Sequence, residues 1–344
     1  MEKIIDPIPV DLIKAELTPD KKLIDTNKGG NEIYVVNWHN APNTVREIGR
    51  LREIAFRQAG GSSGLSCDLD EFDTMETPYQ QMLVWDPDGE AILGGYRYIL
   101  GPDIKFGPDG QPVLATSHQF KFSREFCEHY LPHMMELGRS FVSPEYQSSK
   151  AGAKALFSLD NLWDGIIAVI YPNPNIFYVF GKVTMYPSYD RLSRDLVLRF
   201  IAKHFGDKRG LIESNFPVEK AYGDEVLDLI LTEDSVKDDY KLLKAAVRRR
   251  GTVIPPLVNS YILTSDKTVY YGTSINDLMG DVEESAILMR LEEMNMEKIG
   301  RHIETYLEYR AKQIRGRFPL LESDLKPRLK DRVFAIRDRV FRRK

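Results

Sequence analysis

The chain is poor in cysteine and has no long apolar run. Cys67 and Cys127 are the only cysteines among its 344 residues, which argues against a disulfide framework and favours a reducing compartment. No stretch of about 18 apolar residues occurs, and the opening MEKIIDPIPV lacks the apolar core of a signal peptide. We therefore expect a cytoplasmic protein, either free or peripheral to the inner face of the cytoplasmic membrane.

Two phosphate-binding motifs are also absent. No GxGxxG follows the first predicted strand, and GxxxxGK[ST] occurs nowhere. The pattern of apolar residues predicts the order strand, helix, hairpin, strand, helix, strand, helix, without strict alternation. This order argues against a doubly wound dinucleotide fold and predicts an α/β protein with a mixed sheet flanked by helices.

The charge is unevenly distributed along the chain. The composition, 42% hydrophobic and 28% charged, is that of an ordinary globular protein. The net charge is -4, but residues 326–344 carry nine Lys/Arg against two Asp, which leaves -11 on the rest. An acidic body argues against a nucleic-acid partner. A basic tail predicts an anionic one.

The chain divides into three predicted parts. Residues 1–31 show no clear period and are predicted to be an N-terminal extension. A single domain is predicted over 32–292, with helices and the basic tail over 293–344. Within the domain, the patterns predict strands at 32–38, 134–142 and 176–185, a hairpin over 80–100, and helices at 41–61 and 151–172.

The strand around ELGRSFV, residues 136–142, carries charges that a buried strand rarely tolerates. Glu136 and Arg139 are three residues apart, so a regular pleat would point them to opposite faces. An extra residue near Gly138 would bring them to the same side. We predict a β-bulge there, because bulges are common beside active sites.

Other charged residues precede this strand. Arg52 lies in a predicted helix, Arg97 lies in a predicted strand, and an acidic loop separates them. The loop sequence DLDEFD lacks the glycine and the distal glutamate of an EF-hand, so no metal site is predicted. We expect the acids to converge with the arginines around one cleft. These residues are Arg52, Asp68, Asp70, Asp73, Arg97, Glu136 and Arg139.

Together these motifs resemble those of acyl-homoserine-lactone synthases. That family carries Arg-x-x-x-Phe, an acidic Glu-x-Asp-x-(Tyr/Phe)-Asp, an arginine in a G-x-x-R strand and Glu-x-x-Arg, in this order. The sequence is more similar to a sister group, the amino-acid-lipid N-acyltransferases of the ornithine and glycine lipid type, often labelled hemolysin. The similarity covers about 32–292 and is carried by DEFD, GGYRYI, ELGRSFVSPEY, LWDGI, FYVFGKVTM and IPPLVNSYI.

This resemblance implies a GNAT fold and transfer of an acyl group from a thioester to the α-amine of glycine or ornithine, without a bound cofactor. The donor is either acyl-CoA or acyl carrier protein. The segment YQSSKAGAKAL keeps Gln147 but has Lys150 where the first glycine of the pyrophosphate loop is expected. A Cβ there crowds close backbone approach, which favours acyl carrier protein as donor and partner.

Roles follow for the charged residues. Glu136 is the first candidate for the general base, Asp70 the second, and Arg139 is placed beside them. Arg97 or Arg139 would clamp the substrate carboxylate. The alternative is a buried ion-pair scaffold that orders the loop. The remaining predicted substrate-binding residues are Arg52, Asp68, Asp73, Gly138 and Ser140, with backbone N–H groups near Gly138 binding the oxyanion.

The acyl chain requires an apolar slot. Between splayed strands of such a sheet, aromatic side chains would line it, although aromatic residues in strands commonly pack in the core. The candidates are Trp85, Tyr96, Phe141, Trp163 and Phe180.

The sequence also allows two other functions. One is a lactone-type signal synthase that uses S-adenosylmethionine, and the other is a non-catalytic protein that binds lipid or acyl carrier protein. IPPLVNSYI and the C-terminal extension favour the N-acyltransferase. In the tail, Leu329, Val333, Ile336 and Val340 form one apolar stripe of a helix. This helix would pack on the acidic body, dock on anionic lipid, or receive acyl carrier protein.

Overall fold

An eight-stranded mixed sheet forms the centre of the protein. The computed structural model describes residues 1–147, 153–255, 258–259, 265, 267–294 and 296–317, with the backbone alone at 153–159, 296–298 and 315–317. The strands are β1 (Lys22–Asp25), β2 (Glu32–Val36), β3 (Gln80–Asp86), β4 (Ala91–Leu100), β5 (Phe120–Phe122), β6 (Met134–Val142), β7 (Tyr178–Met185), β8 (Ile212–Ser214), β9 (Val269–Asn276) and β10 (Val282–Arg290). The sheet order is β1-β2-β3-β4-β6-β7-β10-β9, and β5 pairs separately with β8.

Helices cover both faces of this sheet. They are α1 (Val10–Glu16), α2 (Pro42–Ala59), α3 (Glu71–Thr74), α4 (Arg124–His129), α5 (Ala153–Ile170), α6 (Arg191–Phe205), α7 (Asp224–Leu227), α8 (Val236–Arg249) and α9 (Met296–Arg317). The alternation along β3 assigns the two faces: Met82 and Val84 pack with α5, whereas Leu83 and Trp85 pack with α2. The predicted mixed α/β sheet is confirmed.

Both ends of the described chain pack against the central domain. β1 pairs antiparallel with β2, so the segment predicted to be an N-terminal extension supplies an edge strand of the sheet. α9 places Ile299 and Tyr306 in the same apolar core as α5. The predicted tail at 326–344 lies outside the described residues.

The predicted bulge in β6 is confirmed. In its ladder with β4, the two residues Arg139 and Ser140 oppose the single residue Tyr96. Arg139 has a φ of 49°, in the left-handed region that non-glycine residues seldom adopt. The extra residue reverses the alternation of side chains, and Glu136 and Arg139 both reach one cavity.

β6 and β7 then separate. They pair in parallel only from Met134 and Tyr178 to Leu137 and Gly181. Beyond this point β7 stays paired with β10 as far as Met185. The separation opens the sheet next to the bulge, and this opening holds the candidate site.

Candidate active site

A cavity of about 1860 Å³ lies where β6 and β7 separate. Residues 138–140 of the bulged strand form part of its wall, together with Lys182 and Thr184 of β7. The loop at 113–119 and the acidic loop at 68–72 complete this part of the lining. The cavity is therefore built from the elements in which the sequence placed its charged motifs.

Three arginines and three aspartates converge beside the cavity as a closed ring of ion pairs. Each arginine bridges two aspartates, and each aspartate bridges two arginines. The six N–O distances are Arg52–Asp68 2.9 Å, Asp68–Arg139 3.1 Å, Arg139–Asp70 3.4 Å, Asp70–Arg97 2.7 Å, Arg97–Asp73 3.1 Å and Asp73–Arg52 2.8 Å. The predicted convergence is confirmed, and the formal charges of the ring cancel.

The short helix α3 fixes the acidic half of this ring. Asp70 and Asp73 form a reciprocal capping box at its first turn, in which each side chain accepts from the other residue's backbone N–H. Gln81 of β3 donates to the Oδ1 of Asp73 at 2.8 Å, and Arg52 donates to the same oxygen at 3.3 Å. Burial alone would raise the pKa of Asp73, but Arg52 and Arg97 hold it well below its usual range.

The ring pairs each of its arginines with two carboxylates, and the Nε of Arg97 is left without a partner among the described residues. Arg52 is 0% exposed and does not reach the cavity, whereas Arg97 and Arg139 line it. Both lining arginines are already paired with two carboxylates each. The geometry matches the predicted alternative, a buried ion-pair scaffold, better than it matches a carboxylate clamp.

Glu136 occupies a different electrostatic setting within the same cavity. Its side chain is 2% exposed, and the Tyr79 hydroxyl donates to its Oε2. Tyr79 in turn accepts from the backbone N–H of Ala115 at 3.0 Å, which orients the hydroxyl. Burial raises the pKa of Glu136, and the opposing effects of Tyr79, Thr116, Lys182 and Arg97 do not cancel that rise. A buried carboxyl with a raised pKa is suited to exchange a proton with a substrate.

Asp70 is poorly suited to be the base. Its carboxylate accepts from Arg97 at 2.7 Å, from Arg139 at 3.4 Å and from the N–H of Asp73 at 3.2 Å. These three donors occupy most of the lone pairs of the carboxylate. Of the two candidate bases, Glu136 has the setting that general-base chemistry requires.

A second polar cluster was not predicted from the sequence. Lys182 of β7 pairs with Glu284 of β10 at 2.6 Å and donates to the side-chain oxygen of Gln119. Asn276 also donates to Glu284, at 2.7 Å. Burial alone would raise the pKa of Glu284, but the charge and hydrogen bond of Lys182 lower it overall. The sequence does contain a signal for this cluster, a lysine inside the apolar strand FYVFGKVTM. A charge inside an apolar strand is the same kind of signal that marked Glu136.

The aromatic residues predicted to line an acyl slot are mostly core residues. Tyr96 lines the cavity. Trp85 and Phe141 pack in the core beneath α2, Phe180 packs in the core beside α4, and Trp163 packs against the core around α5. These four residues do not line the cavity. Trp85, Phe141 and Phe180 point from their strands into the helix-covered core, and Trp163 lies on α5 itself.

Two classes of feature are absent from the part of the chain that the structure describes. No group of three or more His, Cys, Asp or Glu residues there is arranged to hold a metal ion. No helix in that part is both long enough and apolar enough to cross a membrane.

The fold and this site define a class of protein. Residues 51–156 match the family model described as an acetyltransferase (GNAT) domain, and the observed mixed sheet agrees with it. The protein is an acyltransferase.

Two similar proteins identify the family within this class of acyltransferases. The chain is 54% identical over 308 residues to the glycine N(alpha)-acyltransferase of Bacteroides thetaiotaomicron, covering 90% of this chain and 91% of that one. It is 51% identical over 324 residues to the glycine N(alpha)-acyltransferase of Phocaeicola vulgatus, covering 93% and 99%. The chain belongs to this family of N-acyltransferases. No solved structure matches it.

Proposed function

We propose that this N-acyltransferase moves a 3-hydroxy fatty acyl group from acyl carrier protein to the α-amine of glycine and so forms a lyso glycine lipid. The observation that carries this proposal is the buried Glu136, whose pKa is raised by burial and whose carboxyl lies in the cavity at the splayed strands. The names of the two relatives support glycine over ornithine as acceptor. The sequence motifs of amino-acid-lipid enzymes support a lipid product.

The reaction needs a free amine and a protonated leaving group. In the proposed step, the Glu136 carboxylate takes a proton from the glycine ammonium, and the amine nitrogen attacks the thioester carbonyl carbon. A C–N bond forms and the C–S bond breaks, and the attached nitrogen loses a second proton as it becomes the amide. Of the two protons that leave the nitrogen, one passes through Glu136 to the departing sulfur and the other is released to solvent. A positioned carboxyl with a raised pKa serves both transfers, an effect of about 10²–10⁴ in rate.

The bulge supplies a place for the oxyanion. The ladder between β6 and β7 ends at Leu137, and the ladder with β4 is interrupted at Arg139 and Ser140. Backbone groups of β6 that face the opening beyond Leu137 therefore have no strand partner there. N–H groups in such a position are suited to bind the developing negative charge, each contributing about 3–4 kcal/mol.

The donor is tested by thiol release. Purified enzyme is given 3-hydroxyacyl thioesters of one chain length, on acyl carrier protein or on CoA, with glycine or ornithine as acceptor. We expect release to be fastest with the carrier-protein donor and glycine. Faster release from CoA would overturn the proposed donor, and methylthioadenosine formation from S-adenosylmethionine would instead identify a lactone-type synthase.

Tyr79 sets the pH at which Glu136 works. Its hydroxyl stabilises the charged carboxylate and lowers the pKa of Glu136. Tyr79→Phe removes that donor, so the pKa should rise further and the ionised base should be lost at higher pH. We expect the acid limb of kcat/KM to move upward by about one to two pH units, since a hydrogen bond to a charged group is worth about 1.5–3 kcal/mol. An unmoved limb, measured between pH 5 and 9 with the wild type alongside, would contradict this account.

The basic tail is proposed to bind anionic lipid and pass the product to the bilayer. This rests on sequence alone, on the apolar stripe of Leu329, Val333, Ile336 and Val340 beside Lys and Arg residues. Truncation after Pro327 should weaken binding to anionic vesicles at physiological salt while acylation with a short-chain donor persists. Unchanged vesicle binding would exclude a membrane role for the tail.

A further inference from the structure

A buried amide in the cavity wall has no hydrogen-bond partner among the described residues. Gln119 is 0% exposed and lines the cavity, and its Nε2 makes no hydrogen bond to any described residue. Thr116 is 1% exposed and lines the cavity beside it, and its hydroxyl lies close enough to Glu136 to lower the pKa of that carboxyl. Buried polar groups are nearly always satisfied, so an unpartnered amide in a cavity wall indicates a ligand that satisfies it.

The orientation of the Gln119 amide follows from its neighbour. The Lys182 ammonium donates to the Gln119 side chain, and because an ammonium has no acceptor, the atom facing it must be the amide oxygen. The amide NH₂ therefore points elsewhere, as a donor with two free hydrogens.

The backbone holds Gln119 rigidly in place. Its carbonyl accepts from the N–H of Asn215 at 2.8 Å and from the hydroxyl of Ser274 at 3.1 Å. Its own N–H donates to the carbonyl of Thr116 at 3.1 Å, which closes a tight turn between these two residues. Two other segments of the chain and this turn thus hold the backbone of Gln119 before any ligand binds.

The groups of this cluster that are left free are donors. Gln119 offers an NH₂ and Thr116 offers a hydroxyl, and Lys182, which already serves Glu284 and Gln119, keeps one of its three ammonium hydrogens. Each arginine of the ring is paired with two carboxylates, and the Nε of Arg97, which has no partner among the described residues, is a further donor in the cavity wall. A ligand at this place must therefore be an acceptor, and a carboxylate fits such a set of donors.

We propose that Gln119, Thr116 and Lys182 form the subsite for the α-carboxylate of the acceptor amino acid, in place of the arginine clamp. The inference rests on the proposed function, because it assigns the position of the glycine carboxylate. One carbon separates the carboxylate of glycine from its amine. Seating the carboxylate beside Lys182 therefore brings the amine to the neighbouring Glu136.

The test compares acceptors with and without the carboxylate charge. Glycine and glycinamide carry the same kind of α-amine, and the ratio of their kcat/KM values measures recognition of the carboxylate. Gln119→Glu keeps an acceptor for Lys182 but replaces the NH₂ donor with a like charge, and Gln119→Leu removes the amide entirely. We expect either change to lower the preference for glycine by roughly 10- to 100-fold, the loss typical of a hydrogen bond to a charged group.

A matched control separates recognition from loop integrity. Gln111 lies in the same part of the chain, and its amide is fully used by the backbone of Phe122, donating at 3.2 Å and accepting at 2.8 Å. Gln111→Leu should leave the preference for glycine unchanged. The KM for the acyl donor should change less than about twofold in the Gln119 variants, since a carboxylate subsite does not hold the acyl chain.

The outcomes separate this inference from the proposed function. If the wild type acylates glycine and the Gln119 variants keep the full preference over glycinamide, the subsite is wrong and the proposed function stands. If the wild type does not acylate glycine, both are wrong. If a Gln119 variant does not fold, the near-isosteric Thr116→Val gives the same readout: a reduced preference for glycine supports the subsite, and an unchanged one overturns it.

Discussion

Replacing Glu136 with glutamine is expected to lower kcat by about 10²- to 10⁴-fold, the usual contribution of a positioned general base. The amide has nearly the same shape and still accepts from the Tyr79 hydroxyl, but it cannot take a proton from an ammonium. The loss should appear in kcat and in kcat/KM together, because the interaction is made in the transition state. Steady-state acylation of glycine at pH 7.5 measures it.

Glu136→Gln should lower activity without lowering the stability of the fold. The folded pKa of Glu136 lies above its ordinary value of 4.5, so its contribution to stability is full below that pH and is lost as the pH rises through the folded pKa. Glu136→Gln should therefore melt at the same temperature as the wild type or higher at neutral pH, and the difference should shrink in acid.

An exposed glutamate at the same cavity provides the control. Glu71 lines the cavity mouth from α3, so Glu71→Gln removes a nearby negative charge without touching Glu136. It should keep activity within about twofold, as surface charges are strongly screened. Near wild-type turnover by Glu136→Gln would remove Glu136 as the base.

Replacing Arg52 with methionine is expected to destabilise the protein by about 3–5 kcal/mol, the cost typical of removing one partner from a buried ion pair. Arg52 is fully buried and closes the ring between Asp68 and Asp73. Methionine fills much of the volume but leaves both carboxylates short of a counter-charge in a buried setting. Urea unfolding, followed by fluorescence and circular dichroism, measures the change.

The expected loss of activity in that variant comes from disorder of the acidic loop, since Arg52 does not reach the cavity. Arg124→Met is the matched control, because Arg124 forms an exposed ion pair with Glu128. It should leave the unfolding midpoint unchanged. An Arg52→Met protein with the wild-type midpoint would show that the ring does not support the fold.

The charged residues of the site could be predicted from the sequence because charges inside apolar strands and helices are costly and so require partners. Arg52, Arg97, Arg139 and the acidic loop do converge. The bulge was predictable for the same reason, since the spacing of Glu136 and Arg139 conflicts with a regular pleat. These inferences use local rules of geometry and burial.

The way in which the residues pair depends on the tertiary structure and could not be read from the sequence. The arginines close a ring with aspartates, whereas the sequence also allowed them to clamp a substrate. Gln119 meets Lys182 across 63 positions of sequence, a contact that no local pattern encodes. For the aromatic residues, periodicity does not distinguish a cavity wall from a helix-covered core, and Trp85 and Phe180 proved to be core.

The most direct test of the proposed function is the mass of the product made by the purified enzyme. It is incubated with 3-hydroxyacyl carrier protein and ¹⁵N-glycine, and the extract is analysed by liquid chromatography and mass spectrometry. We expect an N-(3-hydroxyacyl)glycine that carries the label, formed by the wild type and nearly absent with Glu136→Gln. Thioester consumption without any labelled acylglycine would contradict the proposed function.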